Sequence, residues 1–169
     1  MNVRAKREKT RLLCISAAFA AVIYIFTAFF HIPSHTGYTH VGDAFVYLAG
    51  SLLPGPYAAA AGAVGGMLAD LLGGYAMWMP GTGVIKALTA LCFNARTRVI
   101  INRRNLWGIV PSFALCVGGY YLYECLITGN FIAPLGGVPG YCVQVTASAA
   151  VYVAIGKLLD GVKFKEKLF

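Results

Sequence analysis

The stretch GGMLADLLGGYAMWMPGTGVIKAL, residues 65–88, decides the fold class, because two apolar segments flank a short aromatic loop. The first segment carries Asp70 and the second carries Lys86. A charge at the centre of a bilayer costs about 2.5–3.5 kcal/mol on insertion scales, so such residues normally face a partner or a water-filled cavity. The stretch therefore predicts two membrane helices joined by a loop around Trp78, with Asp70 and Lys86 facing a partner or a cavity and not the lipid.

The composition of the whole chain places these helices in a membrane protein. Of its 169 residues, 59% are hydrophobic and only 12% are charged, and the mean hydropathy is +0.70. These values lie outside the range of soluble domains. About six spans of roughly 20 residues fit this length. We predict an all-α polytopic membrane protein with one six-helix domain at 12–160, between basic tails at 1–11 and 161–169.

The first apolar run follows a basic tail, as in a signal peptide. The run is too long for a signal peptide and no cleavage site follows it, so we expect it to remain as a spanning helix. Glycines and prolines interrupt the later runs. The second and fourth spans are short for a full crossing, so we expect them to be extended by loop sequence, tilted, broken or re-entrant. The predicted spans are 12–30, 43–53, 56–72, 83–94, 106–127 and 133–160.

Basic residues indicate the orientation of the spans. No Lys or Arg lies between Arg11 and Lys86, whereas four arginines cluster at 96–104 and four lysines at 157–167. Cytoplasmic loops are enriched in Lys and Arg, and six spans place both termini and the 96–104 loop on that side. The net charge of +8 then reflects topology. A nucleic-acid partner is excluded, because it requires basic residues on a soluble face with aromatics between them.

Four ionisable groups map toward the outer half of the predicted bundle: Asp43, Asp70, Lys86 and Glu124. Asp70 and Lys86 are each eight positions from Trp78, so they are expected at matching depth. One interpretation is a structural ion pair that joins the third and fourth helices. In the other, Lys86 faces a cavity and binds a ligand's anionic or carbonyl group.

The three predicted outer loops are rich in aromatic residues, Gly and Pro, and contain no Lys or Arg. This composition suits lids over a small planar ligand, although single aromatics also occur as interfacial belt residues. Trp78, Tyr75 and Tyr38 are the candidates for stacking on a ring. The candidates for polar recognition are His40, Asp43, Lys86, Glu124, Asn130 and Gln144.

Other chemistry is poorly supported. His31, His35 and His40 lack a carboxylate or thiolate pattern that would define a metal site, so hydrogen bonding within the loop is the alternative. Cys125 and Cys142 lie at similar predicted depth, yet spacing alone cannot establish a disulfide. The sequence contains no GxSxG, HExxH or phosphate-loop motif. We therefore predict neither an enzyme nor a bound cofactor or metal.

Small residues recur along the first helix at Ser16, Ala17, Ala20 and Ala21. Such strips allow the backbones of two helices to approach closely. For this helix, packing within the bundle and contact with an external partner both remain open.

Residues 41–88 resemble the substrate-binding S components of energy-coupling factor (ECF) vitamin transporters, in the branch that includes riboflavin, pyridoxine and hydroxymethylpyrimidine carriers. The resemblance rests on GD at the start of the second helix, LLPGP at the next turn, GGMLADLLGGY and GVIKAL.

The resemblance implies a prokaryotic plasma-membrane subunit that captures a vitamin from outside. It implies as partners an ECF transmembrane coupling subunit and two ATPase subunits, so the chain needs no nucleotide site. Ala17 and Ala21 match the family's Ala-x-x-x-Ala docking motif, with Ser16 and Ala20 beside them. The nickel/cobalt branch's N-terminal Met-His motif is absent. A structural or regulatory membrane subunit that binds no small molecule is the alternative.

Overall fold

The computed structural model describes residues 3–33 and 38–168. Its helices are α1 (Val3–Ala28), α2 (Asp43–Leu52), α3 (Gly55–Leu72), α4 (Met79–Leu91), α5 (Arg103–Thr128), α6 (Val138–Gly161) and the short α7 (Phe164–Leu168), with a 3₁₀ helix at Ala133–Gly137 before α6. An antiparallel hairpin of β1 (His31–Pro33) and β2 (Tyr38–His40) separates α1 from α2, with His31 paired to His40. The fold is thus all-α apart from this hairpin.

The bundle has two chemically different ends. The hairpin end holds β1 and β2, the connection 73–78 and the 3₁₀ helix. The basic end holds the α2–α3 turn, the connection 92–102 and α7. At the basic end, the side chain of Asn105 is fully buried and donates to Ser51 Oγ at 3.1 Å and to Ile100 O at 2.9 Å. Asp160 accepts from the backbone N–H groups of Ile100 and Ile101. Side chains therefore satisfy the backbone of the connection 92–102.

Three helical stretches of the described chain are long and apolar enough to cross a membrane: Val3–Ala28, Arg103–Thr128 and Ala133–Gly161. The short helices are α2, with 10 residues, and α4, with 13. At 1.5 Å per residue they extend about 15 and 20 Å, well below a hydrocarbon core of about 30 Å. They account for the short second and fourth predicted spans.

Proline positions explain where the short helices begin and end. Pro54 follows α2, and Pro56 and Pro80 lie in the first turns of α3 and α4, where a missing N–H costs nothing. The predicted start of the fourth span at Gly83 is four residues too late, because the proline and glycines of residues 80–83 suggested a loop but form the first helical turn. Asn102 caps the start of the long α5 by accepting from the Asn105 N–H, and Gly129, in the left-handed conformation, follows its last residue.

The helices α1, α3 and α4 pack closely through small residues. A Cβ atom at Gly65 would lie 2.6 Å from Ala20 O and 2.8 Å from Ile23 Cβ. Ser16 lies on the same buried face of α1 and donates to Tyr57 O at 2.8 Å. Ser16 and Ala20 therefore pack inside the chain, whereas Ala17 and Ala21 are exposed. The predicted four-residue strip is thus divided between two faces of α1.

Both predicted tails contain helix. The first 26-residue helix begins at Val3 and runs through the basic segment without a break. In the second tail, α7 folds back over the basic end: Lys165 donates to Ser51 O at 2.8 Å, and Arg11 donates to Leu168 O.

Candidate functional site

A small cavity lies at the hairpin end of the bundle, near the first residues of α2 and α4. Its volume of about 30 Å³ is enough for one or two water molecules. The hairpin and the connection 73–78 contribute to its wall together with five helices. The lining residues are Thr27, Tyr38, His40, Asp70, Tyr75, Trp78, Thr82, Tyr120, Tyr141 and Gln144.

Aromatic side chains form much of the wall. The rings of Tyr38 and Tyr75 lie 4.8 Å apart, and those of Tyr120 and Tyr141 are stacked at 5.2 Å with an interplanar angle of 20°. Trp78 is half-buried and its ring centroid lies 6.2 Å from that of Tyr123. Such surfaces suit a flat conjugated ring, which gains both apolar burial and stacking.

Asp70 and Tyr38 connect α3 to the hairpin. Tyr38 donates its hydroxyl hydrogen to Asp70 Oδ1 at 2.6 Å. Burial, followed by the nearby negative charge of Asp70, raises the pKa of Tyr38 well above its usual value. The hydroxyl of Thr82 also interacts with the Asp70 carboxylate, but Asp70 Oδ2 has no hydrogen bond of normal geometry within the described residues. The cavity wall thus contains a carboxylate oxygen with remaining capacity to accept.

His40 is held as a neutral imidazole at the base of the hairpin. Its Nδ1 accepts from the Gly42 N–H at 3.1 Å, so in the neutral form Nε2 carries the proton. Burial, and secondarily the charge of Lys86, lowers the pKa of His40 to about 3. A Cβ atom at Gly42 would lie 2.1 Å from Thr27 Oγ1, which explains the glycine of the GD motif. The Thr27 hydroxyl itself has no partner among residues 3–33 and 38–168.

Lys86 forms its ion pair with Asp43, at the start of α2. The predicted pair of Lys86 with Asp70 is therefore wrong in its acidic partner. The depth of Lys86 was consistent with either acid, but spacing within one hairpin gave no information about α2. Lys86 and Asp43 are each 1% exposed and do not line the cavity. The Lys86 ammonium also lies 5.4 Å from the ring centroid of Tyr120.

Gln144 connects this ion pair to the cavity. Its side-chain nitrogen donates to Asp43 Oδ2 at 2.8 Å and lies 3.6 Å from Cys116 Sγ. Gln144 is 1% exposed and lines the cavity floor. The predicted polar residues Asp43, Lys86 and Gln144 are thus brought together, but only Gln144 reaches the cavity.

The other two predicted polar residues do not line the cavity. Glu124 is buried behind Tyr141, which donates its hydroxyl hydrogen to the Glu124 carboxylate. Asn130 is exposed, and its side-chain oxygen accepts from the backbone N–H groups of Ile132 and Ala133. Asn130 therefore organises the loop before the 3₁₀ helix.

Sequence reasoning missed Thr27, Thr82, Tyr120 and Tyr141. Helical spacing offered a signal for the two tyrosines, because Tyr120 precedes Glu124 by four residues and Tyr141 precedes Gln144 by three. No comparable signal marks Thr27 or Thr82.

The histidine and cysteine alternatives are resolved in part. His31 packs 5.0 Å from the ring of Tyr38, and His35 lies outside the described residues. Cys125 and Cys142 are free thiols, as are the other cysteines.

Comparison with known proteins gives the family. No curated protein matches the chain. A family model described as ECF-type riboflavin transporter, S component, matches residues 7–160, which include both strands, the residues that line the cavity and nearly all of the long helices. S components are substrate-binding membrane subunits without an enzymatic activity of their own, and the long apolar helices of this chain agree with a membrane subunit. The chain belongs to the family of ECF-type riboflavin transporter S components.

Proposed function

We propose that this chain captures riboflavin, or a closely related flat vitamin, for an ATP-driven ECF importer. The observation that carries the proposal is the aromatic cavity at the hairpin end of a chain in this family. Trp78, Tyr75 and Tyr38 offer surfaces for stacking, while Gln144 and Asp70 offer oxygens that accept hydrogen bonds. A fused heterocycle with polar edges uses both kinds of group.

The proposed topology has six spans, α1 to α6, with both termini in the cytoplasm of a prokaryotic cell. The exposed arginines at 96, 98, 103 and 104 lie at the basic end, as the positive-inside rule requires. The hairpin end then faces outward, and the cavity opens toward the side from which a nutrient arrives.

The proposed partners are a transmembrane coupling subunit and two ATPase subunits, because the sequence carries no phosphate-loop motif. The exposed alanines Ala17 and Ala21 give α1 a flat outer face on which a partner helix can pack closely. Ser16 and Ala20 are excluded from that face by their burial against α3.

A vitamin is larger than the present cavity, so binding requires movement at the hairpin end. The hydrogen bond from Tyr38 to Asp70 and the contact of Tyr38 with Tyr75 hold the hairpin to the rest of the bundle. Moving the hairpin and the connection 73–78 enlarges the cavity without disturbing the core at the basic end. The ligand then takes the place of aromatic contacts within the wall.

The experiment is a riboflavin titration of the purified protein in detergent, followed by quenching of flavin fluorescence. We expect saturable sub-micromolar binding. Trp78→Ala is expected to weaken binding about 10-fold through loss of stacking and apolar contact. The other tryptophan, Trp107, is 73% exposed on α5 and provides the matched control Trp107→Ala, which should bind as the wild type does. Absence of saturable binding, or equal losses in both variants, would contradict the proposal.

A further inference from the structure

Gln144 has only one polar atom left to offer to a ligand. A primary amide has two N–H donors on its nitrogen and one carbonyl oxygen. One N–H of Gln144 is directed to Asp43 Oδ2 at 2.8 Å, and the nitrogen also lies within 3.6 Å of the sulfur of Cys116. Both donors are therefore committed below the cavity. Within the described part of the chain, the oxygen Oε1 has no donor.

The orientation of this amide is fixed by charge. Exchanging its nitrogen and oxygen would place Oε1 against the carboxylate of Asp43, which lacks a hydrogen to donate. Asp43 cannot turn away, because its other oxygen is held by the Lys86 ammonium. All three residues are 1% exposed, so bulk solvent offers no alternative partner. The ion pair thus sets which end of the amide faces the cavity.

The hydroxyl groups of the neighbouring Tyr120 and Tyr141 also direct their hydrogens away from the cavity. Tyr141 donates its hydrogen to the Glu124 carboxylate, and Tyr120 donates to Thr82 Oγ1 at 3.2 Å. Neither hydroxyl hydrogen is therefore directed into the cavity. Below the stacked rings of Tyr120 and Tyr141, the floor has few donors to give, and Gln144 Oε1 is its acceptor.

We infer that Asp43 and Lys86 are positioning residues that hold Gln144 Oε1 as a fixed acceptor for a ring N–H of the ligand. This inference rests on the proposed function. It assigns the imide edge of a flavin, with its N3–H, to the cavity floor, and the flexible polyol to the hairpin side of the cavity. A ligand without this N–H leaves a buried acceptor unsatisfied, which costs affinity.

The test compares riboflavin with 3-methylriboflavin, in which a methyl group replaces the imide hydrogen. The wild type is expected to bind riboflavin at least about 10-fold more tightly. In Gln144→Met, which keeps the length and flexibility of the side chain without the acceptor, the preference should fall to about threefold or less. Because steric exclusion of the methyl group would persist in this variant, a retained preference would overturn the inference.

The positioning role is tested by the double variant Asp43→Asn with Lys86→Met. An asparagine can donate to Gln144 Oε1, so the amide is free to turn and the preference for riboflavin should decline. The ratio of the two dissociation constants is the readout, since a general loss of stability weakens both ligands alike. If the folded double variant keeps the wild-type ratio, the ion pair does not set the amide orientation.

The wild-type comparison needs no variant to fold. Equal binding of the two flavins by the wild type would overturn this inference and leave the proposed function intact. Failure of the wild type to bind either flavin would instead refute the proposed function.

Discussion

The buried ion pair of Asp43 and Lys86 gives the sharpest stability prediction. Lys86→Met removes one charge and leaves the Asp43 carboxylate in the protein interior with the Gln144 amide as its principal remaining hydrogen-bond donor. Removing one member of a buried ion pair typically costs about 3–5 kcal/mol, because the other charge stays desolvated and unpaired. We expect the free energy of unfolding of Lys86→Met to fall by that amount.

Removing both charges should restore most of this loss. In Asp43→Asn with Lys86→Met, two neutral side chains of similar shape replace the pair, and no charge remains to be desolvated. Such replacements are often close to neutral. We therefore expect the double variant to lie within about 1.5 kcal/mol of the wild type. The matched control is Asp70→Asn with Lys86→Met, which should show no rescue because Asp70 bonds to Tyr38 instead.

Thermal unfolding in detergent, followed with a thiol-reactive dye, measures these effects, because Cys116 and Cys125 are buried in the folded chain. A loss of about 3–5 kcal/mol corresponds to a decrease in Tm of roughly 6–20 °C for a chain of this size. Equal Tm values for Lys86→Met and its double variant with Asp43→Asn would refute the assignment of the pair. Rescue by Asp70→Asn instead would show that the pair predicted from spacing is the correct one.

Three further predictions concern pH, packing and ligand charge. The pKa of His40 is about 3 in the folded chain and 6.5 in the unfolded chain, so between these pH values only the unfolded chain gains a proton. The free energy of unfolding is therefore highest above about pH 6.5 and should be about 2 kcal/mol lower at pH 5. A flat profile of Tm against pH, or a profile that His40→Asn leaves unchanged, would contradict this. Gly65→Ala should cost about 1–3 kcal/mol by forcing α1 from α3, whereas Gly118→Ala, whose added methyl meets nothing within 4 Å, should be neutral or stabilising in the same unfolding assay. Riboflavin 5′-phosphate should bind about 10–100-fold more weakly than riboflavin in the fluorescence titration. Among the described residues no Lys or Arg lines the cavity, and Asp70 adds negative charge to its wall. Equal affinities for the two ligands would contradict this and would indicate that a positively charged group binds the phosphate.

Several features of this protein follow from local sequence alone. The apolar runs identify the helices because each membrane helix must satisfy its own backbone hydrogen bonds within one continuous segment. Pro54 and Pro56 mark the boundary between α2 and α3 because the backbone preferences of proline act locally. Trp78, Tyr75 and Tyr38 were expected to meet because adjacent outer loops must lie at one end of the bundle. These features can be predicted without knowing which helices pack against each other.

The partners of the buried polar groups depended on tertiary structure. Residues 43 and 86 are separated by two helix reversals, so the packing of α2 against α4 and α6 decided that Asp43, and not Asp70, meets Lys86. The same packing places Gln144 on the cavity floor and leaves Asn130 outside. The pairing of β1 with β2 also lies in a segment whose sequence did not predict strands. Which side chains meet across two helices depends on the rotation of each helix about its axis and on the depth of each residue in the bundle. The sequence pattern specifies neither of these for helices that are distant along the chain.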